Sequence, residues 1–245
     1  CDDGNSIGGD CCSPTCAVDA AGTPCDDGSV CTANESCDAN GSCVAASGLA
    51  CDDGQFCTFD RCDPVSGCVS DPLPNLSTTC GHWQHGSINL RDQSGTDRDV
   101  LRLNLKLEGG DIGDPTSTTD YAVCIYDYGA GTPALVDQIE IPAGGAWVAN
   151  GGSGNFGYND PLRTTEGIEK IRLVQNGSGT KSKLLLKAGG ANLTPPGPSN
   201  TAQYFLSEPK VVVQIENSAG ACWSRSFDAA HGPVRNEPTL FKARR

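Results

Sequence analysis

The cysteines constrain this chain more than any other feature. Thirteen of its 15 cysteines lie in the first 80 residues, and they follow a refrain, Cys-Asp-Asp-Gly, that starts at Cys1, Cys25 and Cys51. After two of those starts the beat nearly repeats: Cys25, Cys31, Cys37 and Cys43, then Cys51, Cys57, Cys62 and Cys68. A module of about 25 residues cannot bury an apolar core of its own, so cross-links must hold it together. Neither repeat contains the short Cys-x-x-Cys knuckle usual in zinc modules, and His82, His85 and His231 all lie outside them. Disulfides are therefore expected, and with them an exported protein.

Residues 1–70 divide into three repeats, 1–16, 25–43 and 51–68, joined by short spacers of small residues. Residues 71–80, rich in Pro, Ser and Thr, read as an extended linker. Spacing leaves the pairings inside a repeat open, since four cysteines allow three, and internal closure of the second and third repeats is the working premise for placing the remaining cysteines. An odd number of cysteines then leaves one over among Cys1, Cys11, Cys12, Cys16 and Cys80, and Cys1 and Cys80 lead as candidates for a bond between molecules. The chain opens in mid-phrase at Cys1, so more chain is expected upstream, with an export signal removed.

Residues 81–245 have the texture of strands. Leu101, Leu103, Leu105 and Leu107 alternate with polar residues, a period of two with one buried face. Residues 121–126, 135–141, 168–174, 183–187, 211–216 and 221–227 read the same way, separated by Gly, Asn, Asp and Pro turns. The expectation is a mainly β chain: disulfide-rich repeats with little regular structure, then an antiparallel β-sandwich of about seven to nine strands over 81–245. Cys124 and Cys222 sit mid-strand and form the natural pair, with Trp223 packing against the core.

Charge divides at the same place. Residues 1–80 hold 13 acidic residues and one basic residue, Arg61, whereas residues 81–245 hold 17 acidic and 16 basic. Almost all of the net charge of −13 therefore sits on the repeats. That argues against nucleic acid as a partner and favours cations or basic surfaces. No stretch has the ~20 apolar residues of a membrane-spanning helix.

The phrase CDDGNSIGGDCCSPTC resembles a bacterial cysteine-rich repeat that runs Cys-Asp-Asp-Gly-Asn, then Gly-Asp-x-Cys. GTPCDDGSVCTANESCDANGSCV and ACDDGQFCTFDRCDPVSGCV resemble its companion modules, found in tandem on secreted and surface proteins. The β region is similar to a poorly characterised domain that often follows them. Its marks are Asp114-Pro115, STTDYAVCIYD (117–127), GYNDPL (157–162), KAGGANL (187–193), VQIENSAGACWSRSF (213–227) and Phe241-Lys242. The resemblance implies a cell-surface setting and a cysteine pair like Cys124–Cys222, and it implies no catalytic residues.

Three kinds of site stand out. Asp2, Asp3, Asn5, Asp26, Asp27, Asp38, Asn40, Asp52 and Asp53 offer hard oxygens in tight turns, which suit calcium. The same residues equally suit plain turn formation, and no EF-hand spacing is present. Trp147, Phe156 and Tyr158 form a candidate sugar-stacking loop, with Trp83 and Tyr204 as further aromatics. The pair His82 and His85 has the spacing of metal ligands, and five Asn-x-Ser/Thr sequons begin at Asn34, Asn40, Asn75, Asn176 and Asn192. No nucleophile elbow, zinc-protease motif or phosphate loop occurs. The expected function is an extracellular, non-enzymatic structural protein, a subunit or segment of a surface filament or adhesin. It would self-associate head to tail, acidic repeats against basic strands around Lys181, Lys183 and Lys187, with calcium as a candidate stabiliser. A polysaccharide-binding module is the alternative.

Overall fold

The computed structural model describes residues 8–71, 80–82, 85–93, 97–129, 131–152, 154–206, 210–231 and 234–245, with the side chain of His82 excepted. It forms two compact units, Cys1–Asp71 and Pro72–Arg245. No helix occurs among the described residues. Cys1, Asp2, Asp3, Asn5, Trp83 and the linker residues 72–79 lie outside the described residues.

In the first unit the chain forms β1 (Thr32–Ala33), β2 (Ser36–Cys37), β3 (Cys43–Val44), β4 (Ser47–Gly48), β5 (Phe59–Asp63) and β6 (Gly67–Asp71). They pair antiparallel as β1–β4, β2–β3 and β5–β6. Among the described residues the only buried apolar side chains are Cys11, Cys12, Cys37 and Cys57, while Val65 is 87% exposed. The core of this unit is sulfur.

The cross-links do not stay inside the repeats. Cys25–Cys43 and Cys51–Cys68 each join the first and last cysteine of one repeat. Cys11–Cys37 ties the first repeat to the second, and Cys31–Cys62 ties the second to the third. The premise of internally closed repeats is therefore corrected. Backbone bonds follow the same interlock: Asp26 N–H donates to Gly9 O and Val30 N–H to Pro64 O, at 3.1 and 3.0 Å. A repeat without a core gains by bracing its neighbour. Loops with sequence separations of 17 to 31 residues each remove about 3–4 kcal/mol of unfolded-chain entropy.

The second unit contains β7 (Gly81–His82), β8 (His85–Arg91), β9 (Val100–Glu108), β10 (Tyr121–Gly129), β11 (Thr132–Ile141), β12 (Trp147–Ala149) and β13 (Asn155–Asn159). It continues with β14 (Ile168–Gln175), β15 (Lys181–Gly189), β16 (Val211–Asn217), β17 (Cys222–Phe227), β18 (Val234–Glu237) and β19 (Leu240–Arg244). One sheet has the order β11-β10-β16-β17-β7 and the other β12-β13-β14-β15-β9-β8-β19-β18. Every pairing is antiparallel except β17 with β7.

One apolar core lies between the two sheets. Leu101, Leu103, Leu105, Leu107, Leu184 and Leu186 from the larger sheet meet Tyr121, Val123, Ile125, Val213, Ile215 and Trp223 from the smaller. The period-two pattern of β9 reads in the structure as alternating buried and outward residues along the strand. Trp223 is fully buried and its indole N–H donates to Gly109 O at 3.0 Å. Gly110 has φ +79 and passes so near that ring that an added Cβ would lie 2.7 Å from it. Only glycine fits there.

Cys222 takes a partner other than the one expected. It bonds Cys80, across a sequence separation of 142 residues. Cys124 is also disulfide-bonded. Gln214, which pairs with Cys124 across β10 and β16, holds its side-chain amide 3.0 Å from Cys80 Sγ and 3.5 Å from Cys222 Sγ. Cys80 is therefore neither linker nor spare thiol. It is buried and pins the start of the second unit to β17.

Candidate functional site: a basic sheet face and an acidic repeat unit

The outward face of the larger sheet follows from the alternation that builds the core. With Leu101, Leu103, Leu105 and Leu107 inward, Arg102, Asn104 and Lys106 must point out. The same rule turns out Lys181, Lys183 and Lys187 on β15, Arg172 on β14, and Lys242 and Arg244 on β19. A bulge between Ile168 and Lys170 shifts the beat, so that Lys170 also faces out.

The register then lines these side chains up across strands. One row runs Asn159, Lys170, Lys187, Arg102, Asn89, Lys242 and Arg235. A second runs Arg172, Leu185, Asn104, Ser87 and Arg244, and a third Lys183, Lys106 and His85. Lys170 faces Lys187, Lys187 faces Arg102, and Lys183 faces Lys106 directly. Like charges opposite one another in a sheet destabilise it, so fold stability does not explain this choice of residues.

Carboxylates appear only toward the margins of the grid. Glu169 sits at the bulge, where it takes Arg163 at 2.5 Å and also Lys187, and Glu237 takes Arg235 at 2.7 Å. The Lys187 ammonium, then Arg163, hold the Glu169 carboxyl below its usual range. Among the described residues, Arg102, Lys106, Lys170, Arg172, Lys183, Lys242 and Arg244 have no carboxylate partner. A shallow depression of about 620 Å³ lies over the first two rows, bordered by Asn89, Arg102, Lys170, Arg172, Lys187 and Lys242. Lys181, Lys183 and Lys187 were legible as a basic strand. The cations of β9, β14, β18 and β19 were not grouped with them, because only register brings them together.

In the repeat unit the Cys-Asp-Asp-Gly phrase repeats in space as well as in sequence. Asp26 and Asp52 accept from the N–H groups of Gly28 and Gly54, both at 2.8 Å. Asp27 accepts from Ser29 N–H and the Thr32 hydroxyl, and Asp53 from Gln55 N–H and the Thr58 hydroxyl. These are turn-forming bonds, with Gly28 and Gly54 at positive φ. Asp38 ties a separate turn through Asn40 N–H and Ser42 N–H, and the Ser42 bond contributes most to holding its carboxyl below the usual range.

Each of the two described phrases also gathers a third carboxylate that sequence reasoning missed. Asp26, Asp27 and Glu35 have oxygens within 4.8 Å of one another, as do Asp52, Asp53 and Asp60. The signal was present: Glu35 and Asp60 precede the third cysteine of each repeat by two residues. The calcium candidates Asp38 and Asn40 are not part of either trio.

The aromatic site does not form. Trp147 and Tyr158 are only 5% and 4% exposed and meet edge to face in the core, at 5.4 Å between ring centroids. Phe156 packs partly buried against the same core, and Tyr204 is fully buried. The segment around Trp147, read as a loop, is strand β12. Its alternation puts the ring inward and Val148 outward. His85 is exposed at the end of the third row. Among the described residues the free cysteine is Cys16, which is exposed, and this corrects the expectation for Cys80.

Disulfides at this density persist only in oxidising surroundings, and no helix among the described residues is long and apolar enough to cross a membrane. Searches of protein-family models, curated proteins and solved structures find no match to this chain.

Proposed function

We propose that this chain is an extracellular structural protein, a subunit or segment of a surface filament or adhesin. The observation that carries this reading is the division of charge between two differently built units. One is acidic and cross-linked repeat to repeat. The other is a sandwich with seven cations on one sheet face that have no carboxylate partner among the described residues. Interlocked disulfides suit mechanical and proteolytic endurance, because opening one repeat requires opening its neighbours. A chain with one acidic and one basic surface joins to its copies by unlike faces, and such contacts extend into filaments when the rotation between copies does not close a ring. The reading assigns no catalytic residue. Calcium belongs to it as a stabiliser of the two carboxylate trios, whose mutual repulsion a hard cation would relieve.

Light scattering and negative-stain electron microscopy of the full chain at low ionic strength, with and without calcium, test the proposal. Concentration-dependent growth into linear assemblies is expected. A particle that stays monomeric under all of these conditions would remove the filament reading.

A further inference from the structure

We propose that the outer face of the eight-stranded sheet is the docking surface for the acidic repeat unit of a second copy of the chain. The inference rests on the subunit reading above and names its contact. Seven cations stand there in adjacent rows without carboxylate partners among the described residues, and four direct cross-strand pairs on that face are like-charged: Lys170 with Lys187, Lys187 with Arg102, Lys183 with Lys106, and Lys242 with Arg235. Glu169 and Glu237 offset part of that repulsion at Lys187 and Arg235, and an anionic surface laid over the rows would offset the rest.

The matching anions lie on the same chain. The repeat unit carries 13 acidic residues by Cys80, and its single cation, Arg61, is already engaged by Asp71 at 3.1 Å and Asp63 at 3.8 Å. Asp26, Asp27, Asp52 and Asp53 are exposed and are held in fixed turns between disulfides. An anionic surface braced in that way loses little freedom on docking. The aromatic side chains that sugar stacking would need are turned into the core, away from this face, which favours a charged protein surface over a neutral glycan.

The contact is heterologous. Each copy offers one basic face and one acidic unit, so each docking leaves one of each free for the next copy.

Two charge variants of the full chain test this at an ionic strength of about 0.02 M, where charges still act on one another out to about 20 Å. The first combines Arg102→Glu, Arg172→Glu and Lys242→Glu. The second combines Asp26→Asn, Asp27→Asn, Asp52→Asn and Asp53→Asn, which retains turn-forming side chains. Each alone is expected to sediment as a monomer, with association weakened about 100-fold or more. Mixed, they are expected to form one-to-one complexes that do not grow, because the first keeps its acidic unit and the second its basic face. Thermal unfolding of the first should be unchanged or raised, which excludes misfolding as the cause. If the first variant assembles as the wild type does, the docking surface is wrong and the subunit reading stands. If the wild type never assembles, both fall. A wild type that stays monomeric yet binds dextran sulfate through Arg102, Arg172 and Lys242 would likewise overturn docking by a second copy.

Discussion

Asp53 shows what one residue of the refrain does. Its carboxylate collects Gln55 N–H and the Thr58 hydroxyl, and the Gln55 bond leads in holding its pKa below the usual range. A carboxyl depressed in the folded state stabilises above its unfolded pKa of about 4 and stops doing so as pH falls through the lower folded value. Asp53→Ala should therefore lower the yield of correctly bridged protein on oxidative refolding, measured by mass mapping of disulfides. Asp53→Asn should largely restore it. Asp137 carries the opposite sign. It lies on the inward side of β11, where burial, with Glu166 adding to it, pushes its carboxyl up to about 7, and one of its oxygens has no hydrogen-bond partner. Burial does the same to Glu216. The folded state then holds protons that the unfolded chain has released, so stability should fall as pH rises from about 4 to about 7. Asp137→Asn should flatten that slope and stabilise at pH 8 by roughly 2–4 kcal/mol, read from denaturant midpoints across pH. A slope that survives in the Asp137→Asn, Glu216→Gln double variant would count against this assignment. Cys16 gives a simpler expectation: the native protein should take up an alkylating reagent at that thiol, mapped by peptide mass.

At the scale of the strand, one alternation builds both the core and the candidate site. Leu105→Ala on β9 should cost about 2–5 kcal/mol by leaving a cavity, whereas Asn104→Ala, pointing outward one residue away, should be close to neutral. Urea unfolding distinguishes them. Replacing Cys80 and Cys222 together by Ser should destabilise by about 2–5 kcal/mol, a loss that reduced wild type would share. Most of the strands were legible because their apolar period was plain: β9, β10, β11, β14, β15, β16 and β17 all fall where alternation placed them, within a few residues at the ends. In this unit the sequence reading passed over β7, β8, β12, β13, β18 and β19. β8 and β13 carry glycine and polar residues that resemble turns, and β12 is only three residues long. Their strand character comes from neighbours that supply the hydrogen bonds, as β14 does for β13.

For the whole molecule, charge is the property with consequences. Assembly driven by opposite surfaces should weaken steeply with salt, because the Debye length shrinks to about 3 Å at 1 M. Sedimentation at rising sodium chloride should show assemblies dissolving without unfolding. Indifference to salt would point instead to apolar or covalent joints, and loss of assembly on reduction would single out the covalent ones, Cys16 among them. The charge split itself was readable from composition along the chain. The site it creates was half readable: the lysines of β15 were evident, and their companions on four other strands were not.

The sequence alone determined that the first 71 residues must be held by sulfur and that the rest must form sheets with one buried face. Both follow from local quantities, the spacing of cysteines and the period of apolar residues. Tertiary structure decided which sulfur meets which: Cys31 crosses to Cys62, Cys11 to Cys37, and Cys80 rather than Cys124 reaches Cys222. It also decided that Trp147 lies inside and that cations from five strands share one surface. Pairing and facing depend on strand order and register between residues up to about 140 positions apart, and no local pattern encodes those.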